Sequence, residues 1–233
     1  METIKNTILQ GLPALCLELS PERAEKMAAF GRELLEKNQV MNLTAITEPE
    51  AVAKLHFLDS LTLLTMADFE GKTIIDVGCG GGFPGVPLAI ACPGGRVTLL
   101  DSLGKRMAWL GQVLPQLGVE AECVTARAEE EAAQRRESYD FAVSRAVARL
   151  NVLCELCLPF VKVGGYFLAM KGAAAEAELA EAEKAISLLG GKVEKVREFP
   201  MDGTAHVVIR IKKVKPTPAA YPRKFGKIKQ KPL

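Results

Sequence analysis

The spacing of hydrophobic positions predicts helices in the first part of the chain. Residues 20–22 offer a serine cap, a first-turn proline and an early acid, and apolar side chains then recur at helical spacing over 27–34. Residues 47–50 (TEPE) fit a capping box with Thr47 as the cap, and a second apolar stripe runs through 52–63. We therefore expect a helical N-terminal unit over residues 1–70.

From residue 71 onward, short β-branched and apolar runs alternate with helical stretches. Strands are predicted near residues 73–77, 96–101, 121–124, 140–143, 165–170, 192–199 and 206–212. Helices are predicted near 84–91, 105–117, 129–136, 150–160 and 173–189. This order predicts an α/β, Rossmann-like class I methyltransferase fold over residues 71–215. Its seven-stranded sheet is expected to be mostly parallel, with an antiparallel C-terminal hairpin.

Composition favours a folded, water-soluble chain and excludes a membrane-spanning or disordered one. The sequence has 233 residues, of which 48% are hydrophobic and 25% charged. Neither a signal-peptide pattern at the start nor an apolar run of the roughly 18 residues needed to cross a bilayer occurs. We expect a cytoplasmic monomer with no membrane partner.

The six cysteines do not indicate a disulfide scaffold in a chain of this length. Cys154 and Cys157 form a C-x-x-C pair, which could belong to a redox or zinc site or to a buried helix face. Their surroundings have helical spacing and no second Cys/His pair stands nearby, so a buried helix face is favoured and no metal is expected.

A glycine-rich loop follows the first predicted strand, in the sequence "IIDVGCGGGFPGVPLAI" at 74–90. The ligand of an open α/β sheet binds at the carboxyl ends of its strands, where this loop lies. If the tight turn begins at Gly78, Phe83 occupies the place where a dinucleotide fingerprint needs its third glycine. Asp76 would repel a pyrophosphate and attract a cation. Asp76, Gly78 and Gly80 therefore favour S-adenosyl-L-methionine over NAD.

Later strand ends carry further candidates for the cofactor. Asp101, at the end of the second strand, can accept hydrogen bonds from both hydroxyls of an adenosyl ribose, although NAD enzymes share this feature. Glu129 follows the third strand and could meet the adenine edge or simply begin a helix as an N-terminal acid. After the fourth strand, Ser144 and Arg145 stand where enzymes that methylate exocyclic amines carry an Asn/Asp-Pro-Pro-aromatic motif.

Several ordered segments together resemble the bacterial RsmG (GidB) family of 16S ribosomal RNA guanine-N7 methyltransferases. They are "NLTAITEPEAVAKLHFLDSL" at 42–61, the glycine loop at 74–90, "LLDSLGKRMAWL" at 99–110, "SRAVARL" at 144–150 and "MKG" at 170–172. The resemblance implies methyl transfer from S-adenosyl-L-methionine to a guanine N7. It also implies cofactor contacts at Gly78, Phe83, Asp101, Ser102, Leu103, Ala128, Glu129 and Arg145.

The implied reaction needs no general base, because guanine N7 has an in-plane lone pair and no proton at neutral pH. Direct in-line displacement then depends on alignment and exclusion of water. No catalytic acid or base is therefore assigned. His56 and Asp59, one helical turn apart, could orient the base or fix the N-terminal helices, and Lys171 could contact a phosphate or the base. His206 is interpreted as structural.

Basic residues concentrate at the C-terminal end, which makes 16S ribosomal RNA or the small ribosomal subunit the expected partner. The net charge is +2, but nine basic residues and no acid follow from Arg210, leaving −7 for the preceding residues. The tail at 216–233 is expected to be irregular and mobile. Its removal is expected to weaken RNA binding and to spare cofactor binding. The candidate RNA contacts are Lys105, Arg106, Lys171, Arg223, Lys224, Lys227 and Lys229.

Three other functions remain open from the sequence. The chain could methylate a small molecule, which would make the basic tail irrelevant. It could be a nicotinamide-dependent oxidoreductase, because the acid after the second strand is common to both classes. It could also be an RNA-binding module with a vestigial cofactor site.

Overall fold

A computed structural model describes residues 2–145, 148–201 and 203–233. Ala146 and Val147, inside the family-like segment 144–150, lie outside the described residues, as does Asp202. Seven strands form one sheet in the order β3-β2-β1-β4-β5-β7-β6. Strands β1 to β5 pair in parallel, and β7 is antiparallel to both β5 and β6. The predicted fold class is confirmed.

The observed strands follow the predicted ones, with shifted ends. They are β1 (Thr73–Val77), β2 (Arg96–Asp101), β3 (Glu122–Thr125), β4 (Tyr139–Arg145), β5 (Val161–Lys171), β6 (Gly191–Met201) and β7 (Thr204–Lys213). The first two match the predicted bounds because both are apolar runs bounded by polar residues or glycine. Strand β5 begins four residues earlier than predicted, since Lys162 and Gly164 interrupt its apolar pattern while the backbone continues extended.

Helices cover both faces of the sheet. The longer ones are α1 (Glu2–Gly11), α2 (Pro21–Met41), α5 (Gly85–Ala91), α6 (Gly104–Gln116), α7 (Ala128–Gln134), α8 (Leu150–Cys157) and α9 (Ala175–Leu188). One apolar cluster joins Phe30 and Phe57 of the N-terminal helices to Ile74 and Leu99 of the sheet. A second cluster packs α8 and α9 on the opposite face. Because helices cover both faces of the sheet, a ligand can reach the sheet only at the ends of its strands.

The predicted capping box at residues 47–50 is wrong. The helical segment begins as α3 (Pro49–Val52) with Glu48 in the cap position, and no side chain closes that cap. Proline explains the shift, since it disfavours helical geometry in the preceding residue and itself suits the first helical position. The segment continues through a π-helical stretch (Ala53–Leu58), α4 (Asp59–Leu61) and a 3-10 turn (Thr62–Thr65). His56 lies in the π-helical stretch.

The C-terminal tail is more ordered than predicted. It contains a helix, α10 (Phe225–Gln230), and Ile228 of that helix is fully buried against the α8 face of the sheet. The Arg136 guanidinium donates hydrogen bonds to the carbonyls of Thr217 and Tyr221. Such contacts join residues more than 80 positions apart, so a local composition pattern could not reveal them.

Cys154 and Cys157 lie on α8 and are fully buried as free thiols, which confirms the predicted helix face. Burial raises the pKa of both thiols. Among the described residues, no group of three or more His, Cys, Asp or Glu side chains could hold a metal ion. No described helix has the length and apolar character that crossing a membrane requires.

Candidate functional site

The glycine loop turns immediately after β1, in the predicted register. Gly78 and Gly80 have φ values of +75° and +56°, a left-handed conformation that glycine adopts without strain. Gly85 begins α5 so close to the sheet that a Cβ there would collide with Leu99 and the Asp76 carboxylate. The loop backbone is therefore packed against the sheet on one side, and its glycines present no side chains on the other.

Asp76 supports this loop from beneath. Its side chain is fully buried, and Oδ2 accepts a 2.7 Å hydrogen bond from the Gly85 N–H. Oδ1 is buried with no hydrogen-bond partner among the described residues. Burial raises the pKa of this carboxyl to about 7. Asp76 lines neither cavity described below, so the structure gives it a supporting position and not the predicted direct contact with the cofactor.

Two cavities open at the carboxyl ends of the strands and share a wall. The first has a volume of about 810 Å³ and the second about 320 Å³. Gly78, Gly80 and Arg145 line both. Residues specific to the first cavity include His56, Asp59, Phe83, Lys171 and His206. Residues specific to the second include Asp101, Ser102, Arg106, Ala128 and Glu129.

The second cavity gathers most of the residues expected to hold an adenosyl group. Asp101 Oδ2 accepts a hydrogen bond from the Gly80 N–H at 3.0 Å, and Oδ1 accepts one from the Leu103 N–H at 2.8 Å. Each carboxylate oxygen keeps a further lone pair for a ribose hydroxyl. Leu103 itself points away, with 51% of its surface exposed, and does not line the cavity.

These features fit an adenosyl group. A carboxylate lies where the ribose hydroxyls need acceptors, and the loop backbone is free of side chains. Aliphatic side chains, including those of Val77, Leu100 and Leu156, form part of the cavity wall. The described residues of this cavity can therefore hold S-adenosyl-L-methionine.

A hydrogen-bonded network lines the first cavity around Asp59, whose side chain is buried. Asp59 Oδ2 accepts from the Arg145 guanidinium and Oδ1 from His206 Nδ1, both at 2.8 Å. Arg145 also donates to the Leu55 carbonyl at 3.0 Å. The network fixes the Arg145 side chain at the wall between the cavities. His56 and Asp59 are thus both cavity residues and links between the N-terminal helices and the sheet.

His56 is neutral in this network. Its Nδ1 lies 3.0 Å from Arg145 Nη2, which can only donate, and 3.2 Å from the Leu55 carbonyl, which can only accept. Nε2 is hydrogen-bonded to Thr44 Oγ1 at 2.7 Å. Burial, with the Arg145 charge second, lowers the pKa of His56 to about 4. The ring stacks on Phe83 with centroids 4.7 Å apart, and Arg145 lies over the same Phe83 ring.

His206 lines the first cavity, a position that the sequence did not indicate. Besides its bond to Asp59, Nε2 lies 3.1 Å from Thr204 Oγ1, which itself donates to the Met201 carbonyl. Both ring nitrogens thus donate, as in the protonated form. The hydrogen bond to Asp59 raises the pKa of His206 accordingly. Its contact with Asp59 spans 147 residues, so the only available signal was its position near the start of a strand at the sheet's edge.

Lys171 reaches the first cavity but its charge is already paired. Its ammonium lies 2.6 Å from Glu178 and donates to the Ala148 carbonyl at 2.7 Å. Glu178 also accepts from the Leu150 N–H at 2.8 Å. Lys171 therefore holds Ala148 and, through Glu178, the start of α8 beside the cavity. This is a structural role for a residue that the sequence assigned to RNA.

The remaining predicted RNA contacts differ in their surroundings. Arg106 lines the second cavity and donates to the Asn42 carbonyl, while Lys105 is exposed and lines neither cavity. Arg223 is paired with the buried Glu155 at 2.6 Å. The side chains of Lys224, Lys227 and Lys229 are exposed, and within the described part of the chain they form no ion pair.

Phe225 of α10 also lines the second cavity, which no sequence pattern indicated. The sequence assigned the tail, with its interleaved basic and aromatic residues, to RNA. The place of the Phe225 ring in a cavity that Gly78 and Gly80 also line depends on how the whole tail packs.

Comparisons with known proteins identify the family. A sequence profile of the rRNA small subunit methyltransferase G (GidB) family matches residues 23–208. The chain is 47% identical to the ribosomal RNA small subunit methyltransferase G of Clostridium botulinum (strain Eklund 17B / Type B), with 93% of each chain covered. It is also 47% identical to the protein of that name from Alkaliphilus oremlandii, with 99% of each covered.

Solved structures with low identity share the fold. The 16S rRNA (adenine(1408)-N(1))-methyltransferase from Catenulisporales acidiphilia, determined with its cosubstrate SAM, is 18% identical with a TM-score of 0.51, covering 64% of this chain and 87% of that one. The C9 mutein of the branched-chain polyamine synthase from Thermus thermophilus is 14% identical with a TM-score of 0.60, covering 84% of this chain and 66% of that one. Since the profile spans most of its length and the curated relatives nearly all of it, the chain belongs to the rRNA small subunit methyltransferase G family.

Proposed function

We propose that this chain transfers the methyl group of S-adenosyl-L-methionine to N7 of a guanine in 16S ribosomal RNA, without a general base. Family membership supports the cofactor and the RNA substrate. The observation that carries the assignment of the site is the shared wall of Gly78, Gly80 and Arg145 between two cavities. The smaller one suits the adenosyl group, and the larger one has room for a flipped base.

When bound, the cofactor supplies a methyl group activated on a sulfonium. The residues of the chain then have to bind and orient the two reactants and exclude water, because N7 needs no deprotonation. In the second cavity, Asp101 would hold the ribose hydroxyls, and Ser102, Ala128 and Glu129 would surround the adenosine. Gly78 and Gly80 allow close approach at the junction.

In the first cavity, His56 and Phe83 stack on each other and both line the space proposed for the base. Arg145 stays at the junction because Asp59 and the Leu55 carbonyl hold it. Both ring nitrogens of His56 are engaged by groups of the chain, in agreement with chemistry that moves no proton. The Asp59 carboxylate is already paired with Arg145 and His206, so its role here is to position Arg145.

The assignment of N7 as the methyl acceptor can be tested with a modified substrate. Labelled methyl transfer to 16S RNA should map to one guanine, and chain cleavage specific for N7-methylguanine should occur there. The same RNA with 7-deazaguanine at that position should bind with unchanged affinity and accept no methyl group. Methyl transfer to the 7-deaza substrate, or to an exocyclic amine, would contradict the proposal.

We further propose that the chain acts as a monomer on ribosomal RNA or the small subunit. In support, the large hydrophobic side chains that are exposed among the described residues come from different elements and not from one face: Val40, Leu103, Val163, Leu188, Val196 and Val214. Sedimentation of the free protein and of its mixture with 16S RNA would test this directly.

A further inference from the structure

The C-terminal tail at 216–233 packs against the second cavity. Phe225, at the start of α10, is the sole aromatic residue among the described residues that line it. The other apolar lining is aliphatic. A cavity that holds an adenine gains from an aromatic face, because base and ring can stack.

The tail is fixed next to the cavity by a buried ion pair. Glu155 is fully buried on α8 and accepts three hydrogen bonds from Arg223: from the backbone N–H and Nε at 2.8 Å each, and from Nη2 at 2.6 Å. Charge-assisted bonds with this bidentate geometry are among the stronger ones in proteins. The next residue of α8, Leu156, lines the cavity itself. Helix α8 therefore connects the tail directly to the cavity.

Further contacts hold the tail on both sides of Phe225. Before it, the Arg136 guanidinium binds backbone carbonyls of the tail, and Glu137 accepts from the Thr217 N–H at 2.7 Å. After it, Ile228 is fully buried and the Asn151 amide donates to the Leu233 carbonyl. The position of Phe225 is thus determined by an anchored segment and not by a free arm.

Arg127 orients the ring further. Its guanidinium carbon lies 5.7 Å from the Phe225 centroid, within the range of cation–π attraction, and both residues line the second cavity. Arg127 immediately precedes Ala128 and Glu129, the two residues expected beside the adenine. The ring therefore lies on the adenosyl side of the site and not on the side of Phe83 and His56.

We propose that Phe225 completes the adenosine-binding cavity, so that the C-terminal tail is part of the cofactor site. This revises the sequence expectation that the tail can be removed without affecting cofactor binding. The inference rests on the proposed assignment of the second cavity to the adenosyl group.

The test measures the dissociation constants of S-adenosyl-L-methionine and 5′-methylthioadenosine by titration calorimetry on the full chain. We expect Phe225→Ala to raise both constants by the same factor, about tenfold, because the lost contact is to the adenosine that the two ligands share. Phe225→Tyr keeps the aromatic face and should bind both nearly as the unmodified chain does. Gln230→Ala, an exposed position on the same helix, is the matched control and should change neither constant.

An unchanged affinity in Phe225→Ala overturns the proposal. An equal loss in Gln230→Ala or in Phe225→Tyr also overturns it, since the effect would then not come from the aromatic face. A loss for S-adenosyl-L-methionine alone would place the ring near the methionine end and contradict the adenosine assignment. The proposed function fails separately, if the unmodified chain binds the cofactor but methylates no guanine N7.

Discussion

At the scale of single residues, Asp76 shows how a motif acid can serve the site without entering it. The carboxyl is fully buried beneath the glycine loop, and one of its oxygens has no hydrogen-bond partner among the described residues. Its bond to the Gly85 N–H holds α5 against the sheet, which brings the loop backbone to the wall of both cavities. The position of the glycine loop thus depends on the Asp76 carboxyl, whose ionisation is made costly by burial.

We expect Asp76→Asn to stabilise the chain in a pH-dependent way. Because burial raises the pKa of Asp76 from 3.8 to about 7, the unfolded chain loses this proton first. The folded state is therefore penalised progressively as pH rises from about 4 to about 7, and fully above that. Asparagine still accepts from Gly85 but carries no charge. It should raise the free energy of unfolding by on the order of 2 kcal/mol at about pH 8 and by far less at about pH 5.

Denaturant unfolding of both proteins at the two pH values provides the measurement. If Asp76→Asn changed the free energy of unfolding equally at the two pH values, the idea that the buried Asp76 carboxylate lacks compensation would be contradicted. Asp140, a partly buried aspartate that accepts hydrogen bonds from Thr73 and Lys162, supplies a control. Asp140→Asn should destabilise the chain, because that carboxylate is well partnered.

His206 should give the opposite dependence, since its charged form is the stabilising one. Its bond to Asp59 raises the folded-state pKa above the ordinary histidine value of 6.5. Its contribution is complete below about pH 6.5 and disappears as pH rises through the raised pKa. We expect His206→Gln to lower the free energy of unfolding by about 0.5–1 kcal/mol at about pH 6. At about pH 9 it should have almost no effect; an equal cost at both would refute the protonated pair.

At the scale of elements, local signals predicted most of the sheet and failed where distant contacts decide. Strands β1 and β2 were predicted to the residue because their apolar runs have clear ends. The tail was predicted to be irregular because its composition is polar and proline-rich. Its order depends on Arg136 and Glu155, which are far away in sequence. Mistaking Thr47 for a helix cap was a local error, since Pro49 already indicated Glu48.

The candidate site divides in the same way. The glycine loop and Asp101 could be found from the sequence because a ligand site at the carboxyl ends of strands is a property of the fold. His206 and Phe225 could not, because each reaches the site through the pairing of β7 or the packing of α10. The ion pairs of Lys171 with Glu178 and of Arg223 with Glu155 also could not be foreseen from the sequence.

The clamp between β5 and α9 gives a prediction at this scale. Glu178 joins the Lys171 ammonium to the Leu150 N–H, and so holds the start of α8 beside the first cavity. We expect Glu178→Ala to lower the free energy of unfolding by about 2–3 kcal/mol, because it leaves a mostly buried ammonium without its counter-ion. Glu183→Ala, on an exposed face of the same helix, is the control and should cost little. Equal costs in thermal or denaturant unfolding would show that the clamp contributes nothing.

At the scale of the whole molecule, the tail combines two properties on one short helix. Phe225 faces the second cavity, while Lys227 and Lys229 are exposed and Lys224 precedes them. The basic end of the chain is therefore anchored beside the glycine loop and not free to search at a distance. RNA bound by these lysines would lie beside the second cavity, which shares a wall with the first.

The salt dependence of RNA binding tests this arrangement. Replacing Lys224, Lys227 and Lys229 together by alanine removes up to three phosphate contacts, each of which releases a counter-ion. The slope of log affinity against log salt should then fall by roughly two, at about 0.7 per contact for a single strand. Lys184, Lys192 and Lys195, equally exposed on α9 and β6, form a matched triple variant that should leave the slope unchanged. The affinity for S-adenosyl-L-methionine should be unaltered in both, because neither triple touches the lining of the second cavity. If the two triple variants change the slope equally, RNA binding depends on net charge alone, and the three tail lysines do not make specific phosphate contacts.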